Sequence, residues 1–185
     1  MRTLDADFLV RRENSVQDKI DVPAILEEMG FVATFDRSSE WVVYDHPELR
    51  VEFLVPELGK GYDKARKIRQ LGVTAQGLRY LNLLADHPRK LSYGGLPVVV
   101  PEPAAYALQK LIISERRKKA EKRERDLESA IAVLDYIESQ SDEQDTMRRI
   151  LKMLPRKWVK EVERVAKKHN LDFLLKMLEA IAQRA

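Results

Sequence analysis

The stretch Thr3-Leu4-Asp5-Ala6-Asp7-Phe8-Leu9-Val10 decides the predicted fold, because acidic and apolar residues alternate in it ahead of an apolar run. Alternation with a period of two predicts a β-strand, in which residues i and i+2 project from the same face. Asp5 and Asp7 are therefore expected to present two carboxylates side by side. Two such carboxylates repel each other, and a divalent cation such as Mg²⁺ or Mn²⁺, which prefers oxygen ligands, would relieve that repulsion.

A third carboxylate interrupts another apolar segment, Arg50-Val51-Glu52-Phe53-Leu54, within a strand predicted over residues 49–55. If this strand pairs beside residues 5–10, Glu52 completes a site of three carboxylates. Two metal ions on such a site would clamp the attacking and leaving oxygens of a phosphoryl transfer. An Asp-x-Asp near a chain terminus is also typical of a solvated strand end, and spacing alone does not choose between these interpretations.

The rest of the first half predicts short elements separated by turns. Residues 22–30 form a predicted helix, with Asp21 as its N-cap and Gly30 just past its end. Short turns between consecutive strands favour antiparallel pairing. Residues 59–77 are predicted to be a loop, and residues 77–85 fit either a helix or a strand. The further predicted strands cover residues 31–35, 41–44 and 96–100.

After residue 103 the sequence becomes helical in character. Residues 104–138 contain no Pro or Gly and are rich in strong helix formers. Residues 116–125, with seven basic and two acidic side chains, interrupt the apolar stripe, so either one helix projects into solvent there or two helices meet. Two or three amphipathic helices, split by Pro155 and Asn170, follow. We therefore predict an α+β fold with an α/β module over residues 1–103 and a helical module over residues 104–185.

The basic segment admits several interpretations. If the helix is continuous, Lys110, Ser114 and Arg117 share one face, from which cations could contact a metal-bound triphosphate. A charge run is also typical of a solvated helix face. A non-catalytic module that holds nucleic acid or a partner protein through residues 116–125 is the rival hypothesis, and its binding would weaken with salt.

Composition excludes several classes of protein. The 185 residues include no cysteine, which excludes disulfides and thiolate metal sites. No apolar run approaches the roughly 20 residues that span a bilayer, so we expect no membrane insertion and a cytoplasmic location. The net charge of +3 and pI near 9.0 are only mildly basic. Residues 171–181 predict an amphipathic helix that packs on the body or on a second subunit, which makes a dimer conceivable.

Several of these segments resemble one family in the same order. Residues 3–9 resemble the T-x-D-x-D-F-L strand of nucleotidyltransferase-like proteins in the DNA polymerase β-type superfamily. Residues 51–56 resemble its strand with the third carboxylate. Pro101-x-Pro103, residues 107–111 and residues 116–127 are similar to its following helices, and related abortive-infection-type nucleotidyltransferase toxins share the order. The resemblance extends from Thr3 to about Tyr136.

The resemblance implies a mixed or antiparallel sheet with flanking helices and a helical C-terminal extension. It also implies Mg²⁺- or Mn²⁺-dependent transfer of a nucleotidyl group from an NTP to an acceptor that the sequence does not identify, RNA and protein both being open. Asp5 and Asp7 would hold metal, and Glu52 would be the third ligand or the base. Lys110, Arg117, Lys122 and Arg125 would bind phosphates, with Asp126 orienting them.

The superfamily also places a Gly-Gly or Gly-Ser turn at a helix N-terminus ahead of the carboxylate pair, where backbone N–H groups hold the triphosphate. Only four residues precede Asp5. The α/β module is therefore expected to be N-terminally incomplete.

Overall fold

The computed structural model describes residues 5–10, 19–36, 41–57 and 65–183. The chain divides into two compact units, Met1–Ala85 and Asp86–Ala185. The predicted division after residue 103 differs from this boundary by one β-hairpin and stays a prediction. The α+β fold with a mixed sheet, flanking helices and a helical C-terminal extension is confirmed.

The N-terminal unit is built on a six-stranded sheet in the order β2-β3-β4-β6-β5, with β1 also paired to β4. β1 and β6 run parallel to β4, and the other pairs are antiparallel. The elements are β1 (Asp5–Leu9), α1 (Val22–Glu28), β2 (Val32–Asp36), β3 (Trp41–His46), β4 (Leu49–Pro56), β5 (Ala65–Ile68), β6 (Val73–Leu78) and α2 (Leu81–Ala85).

The predicted helix of this unit is confirmed together with its caps. The Asp21 side chain accepts a hydrogen bond from the backbone N–H of Ala24 at 3.2 Å, which satisfies a donor that the first turn leaves free. Gly30 follows the helix with φ of +88°, a conformation that favours glycine.

The core of this unit lies against one face of β4. Val51, Phe53 and Val55 are buried there, and the Phe53 ring meets Tyr44 edge-on at a centroid distance of 5.9 Å. Ala6 of β1 packs against the same cluster. Because successive side chains alternate, the even-numbered residues of β4 and the odd-numbered residues of β1 project from the opposite face.

The predicted loop over residues 59–77 is wrong where the structure has β5 and β6; residues 59–64 of that loop lie outside the described ranges. β6 does alternate buried and half-buried residues. Two of its buried positions are Ala75 and Gly77, which are too small to give the alternating pattern of large apolar residues that predicts a strand. β5 is an edge strand rich in basic residues, which is how natural sheets discourage edge-to-edge aggregation.

The C-terminal unit begins with a hairpin and continues with five helices. β7 (Pro88–Tyr93), which the sequence did not predict, pairs with β8 (Leu96–Pro101) through a turn at Gly94 and Gly95, both with positive φ. The helices are α3 (Pro103–Ser114), α4 (Ala120–Glu138), α5 (Ser141–Met153), α6 (Arg156–Lys168) and α7 (Asp172–Ala182).

The structure decides between one helix and two across the basic segment. α3 ends at Ser114 and α4 begins at Ala120, because the cations between them cannot occupy the core seam that both helices share. The three last helices divide at Pro155 and at Asn170, as predicted. Leu108, Leu111 and Ile112 of α3 are fully buried at the centre of this unit. Across the described ranges, no helix has the length and apolar character that spanning a membrane requires.

Candidate active site

The pairing of β1 with β4 arranges the predicted carboxylates. The two strands run parallel with Asp5 beside Arg50 and Asp7 beside Glu52. Paired residues in a sheet project from the same face, as do residues i and i+2 of one strand. Asp5, Asp7 and Glu52 therefore lie on one face of the sheet, opposite the hydrophobic core, and we call this surface the acidic face.

A guanidinium that the sequence reasoning did not single out lies in the middle of the acidic face. Arg50 Nε donates to Asp45 Oδ1 of β3 at 2.7 Å. That hydrogen bond, with smaller contributions from the negative charges of Glu52 and Asp5, raises the pKa of Arg50. The same bond lowers the pKa of Asp45. The sequence could have indicated that Arg50 lies on the same face as Glu52, because residues two apart in a strand project from the same face.

The acidic face thus has the donor chemistry that a hard divalent cation prefers, namely several carboxylate oxygens with one compensating guanidinium. Within the described part of the chain, however, no group of three or more His, Asp or Glu side chains is arranged to hold a metal ion. The assignment of Asp5, Asp7 and Glu52 as metal ligands therefore stays a prediction.

A second group of predicted residues meets in the C-terminal unit. Asp126 of α4 is 5% exposed and accepts two charge-assisted hydrogen bonds, from Lys110 Nζ at 2.7 Å and from Arg117 Nε at 2.6 Å. We call these three residues the Asp126 cluster. Lys110 Nζ also lies 5.5 Å from the centre of the Tyr106 ring. Two cations around one carboxylate leave the cluster with a net positive charge.

The other predicted phosphate contacts stand apart from this cluster. Lys122 and Arg125 are exposed on α4, where no described carboxylate pairs with them. The common face of Lys110, Ser114 and Arg117 required a continuous helix, which the break after Ser114 excludes. Ser114 is buried, and its hydroxyl donates to the Leu111 carbonyl at 2.8 Å.

Two further ion-pair networks of the C-terminal unit were missed. Arg89 of β7 donates to both oxygens of Glu143 at 2.6 and 2.8 Å and also pairs with Glu102. Glu115, at the end of α3, pairs with Lys168 at 2.9 Å. The sequence does not reveal either network. The paired residues are up to 54 positions apart, and only the folded chain brings them together.

A family model described as nucleotidyltransferase matches residues 1–154. The match covers most of the chain, and the protein belongs to this nucleotidyltransferase family. The predicted resemblance is confirmed at that level, whereas the relation to abortive-infection toxins stays a prediction. No curated protein and no solved structure gave a significant match. Membership implies transfer of a nucleotidyl group from an NTP, and nucleotidyltransferases generally use divalent metal ions.

Proposed function

We propose that this protein transfers a nucleotidyl group from an NTP to a hydroxyl-bearing acceptor, with Mg²⁺ or Mn²⁺ held by Asp5, Asp7 and Glu52. The observation that carries the proposal is the parallel register of β1 and β4, which aligns Asp7 with Glu52 in a chain of the nucleotidyltransferase family. When bound, the divalent cation would neutralise phosphate charge during the displacement.

The reaction we propose forms one bond and breaks one. The acceptor oxygen attacks the α-phosphorus, the bond from that phosphorus to the bridging oxygen breaks, and pyrophosphate leaves. Glu52 takes the proton of the acceptor hydroxyl. Asp5 and Asp7 contribute fixed negative charge that holds the cation.

Lys110 and Arg117 are proposed to bind phosphate oxygens. Lysine contributes a compact positive charge, whereas arginine offers a planar fork that matches phosphate geometry. Asp126 holds both cations by short hydrogen bonds, so it acts as a positioning residue. Lys122 and Arg125, exposed on α4, are proposed as further phosphate contacts.

The proposal is tested with α-³²P-labelled NTPs, Mg²⁺ and a mixed RNA and protein acceptor pool. Asp7→Asn and Glu52→Gln keep the size of each side chain but remove the charge. We expect each to lower the rate of label transfer by about 100-fold, on the scale that follows loss of one electrostatic contact to a transition state. Calorimetry of Mg²⁺–NTP binding on the same variants separates binding from chemistry.

Glu48→Gln is the matched control, because Glu48 is an exposed carboxylate in the turn between β3 and β4. It should transfer label and bind Mg²⁺–NTP like the wild type. If the Asp7 and Glu52 variants also match the wild type in both assays, the acidic face is not the metal site.

A further inference from the structure

A groove of about 800 Å³ lies between α5 and α7 in the C-terminal unit. Charged side chains of α5 form one wall, and apolar side chains form the other wall and one end. The residues that line it are Asp145, Arg148, Arg149, Lys152, Met153, Ala180 and Ile181. Neither the acidic face nor the Asp126 cluster contributes to this groove.

The charged wall is a row of cations along one helix face. Arg148, Arg149 and Lys152 follow Asp145 by three, four and seven residues, a spacing that places all four on the same side of α5. Arg148 is hydrogen-bonded to Asp145 and to Gln144. In the described ranges, by contrast, no carboxylate lies within ion-pairing distance of Arg149 or Lys152. Two cations on this wall are thus available for an anionic partner.

The opposite side of the groove offers apolar surface. Ala180 and Ile181 of α7 line that side, and Met153, which is 67% exposed at the end of α5, borders the groove four residues after Arg149. A ligand that fits both walls has anionic groups along one edge and flat or apolar groups along the other. A nucleic-acid strand has this chemistry, with phosphates on one edge and sugars and bases on the other.

The net charge of the C-terminal unit also favours nucleic acid as the partner. Residues 86–185 contain 21 Lys and Arg against 16 Asp and Glu, whereas residues 1–85 contain 12 against 14. The C-terminal unit has an excess of cations and the N-terminal unit a slight excess of carboxylates, so attraction to polyanions is concentrated in the C-terminal unit.

We propose that the groove between α5 and α7 binds single-stranded nucleic acid, with Arg149 and Lys152 on its phosphates. Packed helices have axes roughly 8–10 Å apart, so a groove between two neighbours admits one strand rather than a duplex. This binding needs neither metal nor NTP and stands independently of the proposed transfer reaction.

The test is fluorescence anisotropy of a labelled 12-nucleotide RNA of mixed sequence, with the full chain, EDTA present and NTP omitted. Arg149→Ala/Lys152→Ala should weaken binding about tenfold or more. The salt dependence should change as well, because each phosphate contact on a single strand contributes roughly 0.7 to the slope of log K against log salt. Loss of two contacts therefore makes that slope shallower by about 1.4.

Lys157→Ala/Lys160→Ala is the matched control. It removes the same charge at the same three-residue spacing from the exposed side of α6, outside the groove. The proposal expects this control to bind RNA nearly as well as the wild type. Circular dichroism and thermal melting of both double variants verify that the exposed substitutions leave the fold unchanged.

Three outcomes would overturn the proposal. Equal weakening by both double variants would mean diffuse attraction to a basic surface. Equally tight binding of a polyglutamate peptide or of duplex RNA would assign the groove a different partner. Absence of wild-type binding at about 100 μM protein, the weak end of the range of nonspecific nucleic-acid affinities, would contradict the proposal.

Discussion

Asp126 occupies a position that the periodicity of α4 assigns to the core. The buried residues of this helix are Asp126, Ala130, Leu134 and Ile137, which follow one stripe. A carboxylate in that stripe loses water, and this cost is offset only when cations and hydrogen bonds replace it. Lys110 and Arg117 supply both, so the fold depends on this pairing even before any ligand is considered.

We predict that Lys110 and Asp126 are energetically coupled. In a double-mutant cycle of Lys110→Met, Asp126→Asn and the double variant, the coupling free energy should be about 1–3 kcal/mol, since the two groups share a short hydrogen bond in a mostly buried position. Urea denaturation gives the free energy of unfolding of each protein.

Glu128→Gln on the exposed side of α4 is the control for loss of a carboxylate from the same helix, and we expect no coupling between Glu128 and Lys110. A coupling below about 0.3 kcal/mol for Lys110 and Asp126 would be within the error of additivity and would contradict the prediction.

At the level of single residues, the sequence was a better guide to the candidate site residues than to the residues that they contact. Strand parity placed Asp5 and Asp7 on one face, and the register confirms that Asp7 neighbours Glu52. Parity also applied to Arg50, yet its partner Asp45 comes from β3 and depends on the β3–β4 register. Such a register is decided by tertiary packing and turn geometry together, so the sequence alone did not supply it.

Arg89 ties the hairpin of β7 and β8 to the helices of its unit. Arg89 donates to both oxygens of Glu143 on α5 and pairs with Glu102, and Tyr136 lies 3.5 Å from the same Glu143 carboxylate. Glu143 is 7% exposed. The two-stranded hairpin has few buried residues of its own, and an isolated hairpin is marginal in water. The ion pair therefore stabilises the whole element.

We predict a pH-dependent contribution from this ion pair. The hydrogen bonds from Arg89 lower the pKa of Glu143, aided by Tyr136 and opposed by burial. A lowered carboxyl pKa contributes stability above the unfolded value, about 4.3 for glutamate, and that stability is lost as pH falls below it. Glu143→Gln should thus cost about 2 kcal/mol at neutral pH and progressively less below about pH 4.

Guanidinium denaturation of the wild type and Glu143→Gln at neutral and acidic pH measures this difference. Asp142→Asn, an exposed neighbour in the first turn of α5, controls for charge at the helix N-terminus. A difference between wild type and Glu143→Gln that stays constant across the pH range would show that the charge of Glu143 is not what holds the hairpin.

Elements with strong periodicity or clear caps were predictable, and the others were not. α1 carried Asp21 and Gly30 at its ends, and the last three helices were separated by Pro155 and Asn170. β7 is exposed over most of its length and the two middle residues of β5 are exposed, so burial imposed no alternation of apolar residues on either strand. They are strands because a partner strand provides backbone hydrogen bonds, which the sequence does not record.

Each unit of the molecule has a hydrophobic core of its own. Residues buried around β4 form one, and the fully buried side chains of α3 with those of α4 to α7 form the other. A chain segment with its own core can fold alone. The sequence predicted two modules with a boundary where helical composition begins, and that boundary stays a prediction; composition does not reveal that Arg89 ties the hairpin to α5.

We expect the fragment 86–185 to fold by itself. Its thermal unfolding should be cooperative, with an enthalpy of about 60–80 kcal/mol for a domain of about 100 residues. The comparison fragment 104–185 lacks Arg89 and leaves Glu143 without its partner, so it should melt at a lower temperature. Calorimetry of the two fragments decides the domain boundary; equal melting temperatures would favour the boundary at residue 103.

The opposite charge balance of the two units has a practical consequence. One isoelectric point near 9.0 describes the whole chain, but it averages a half with excess cations and a half with excess carboxylates. On a cation exchanger at moderate pH and low salt, the intact protein should therefore be retained through its C-terminal unit, more strongly than the net charge of +3 indicates. Preparations from cells should also carry nucleic acid through the first column unless the salt is raised.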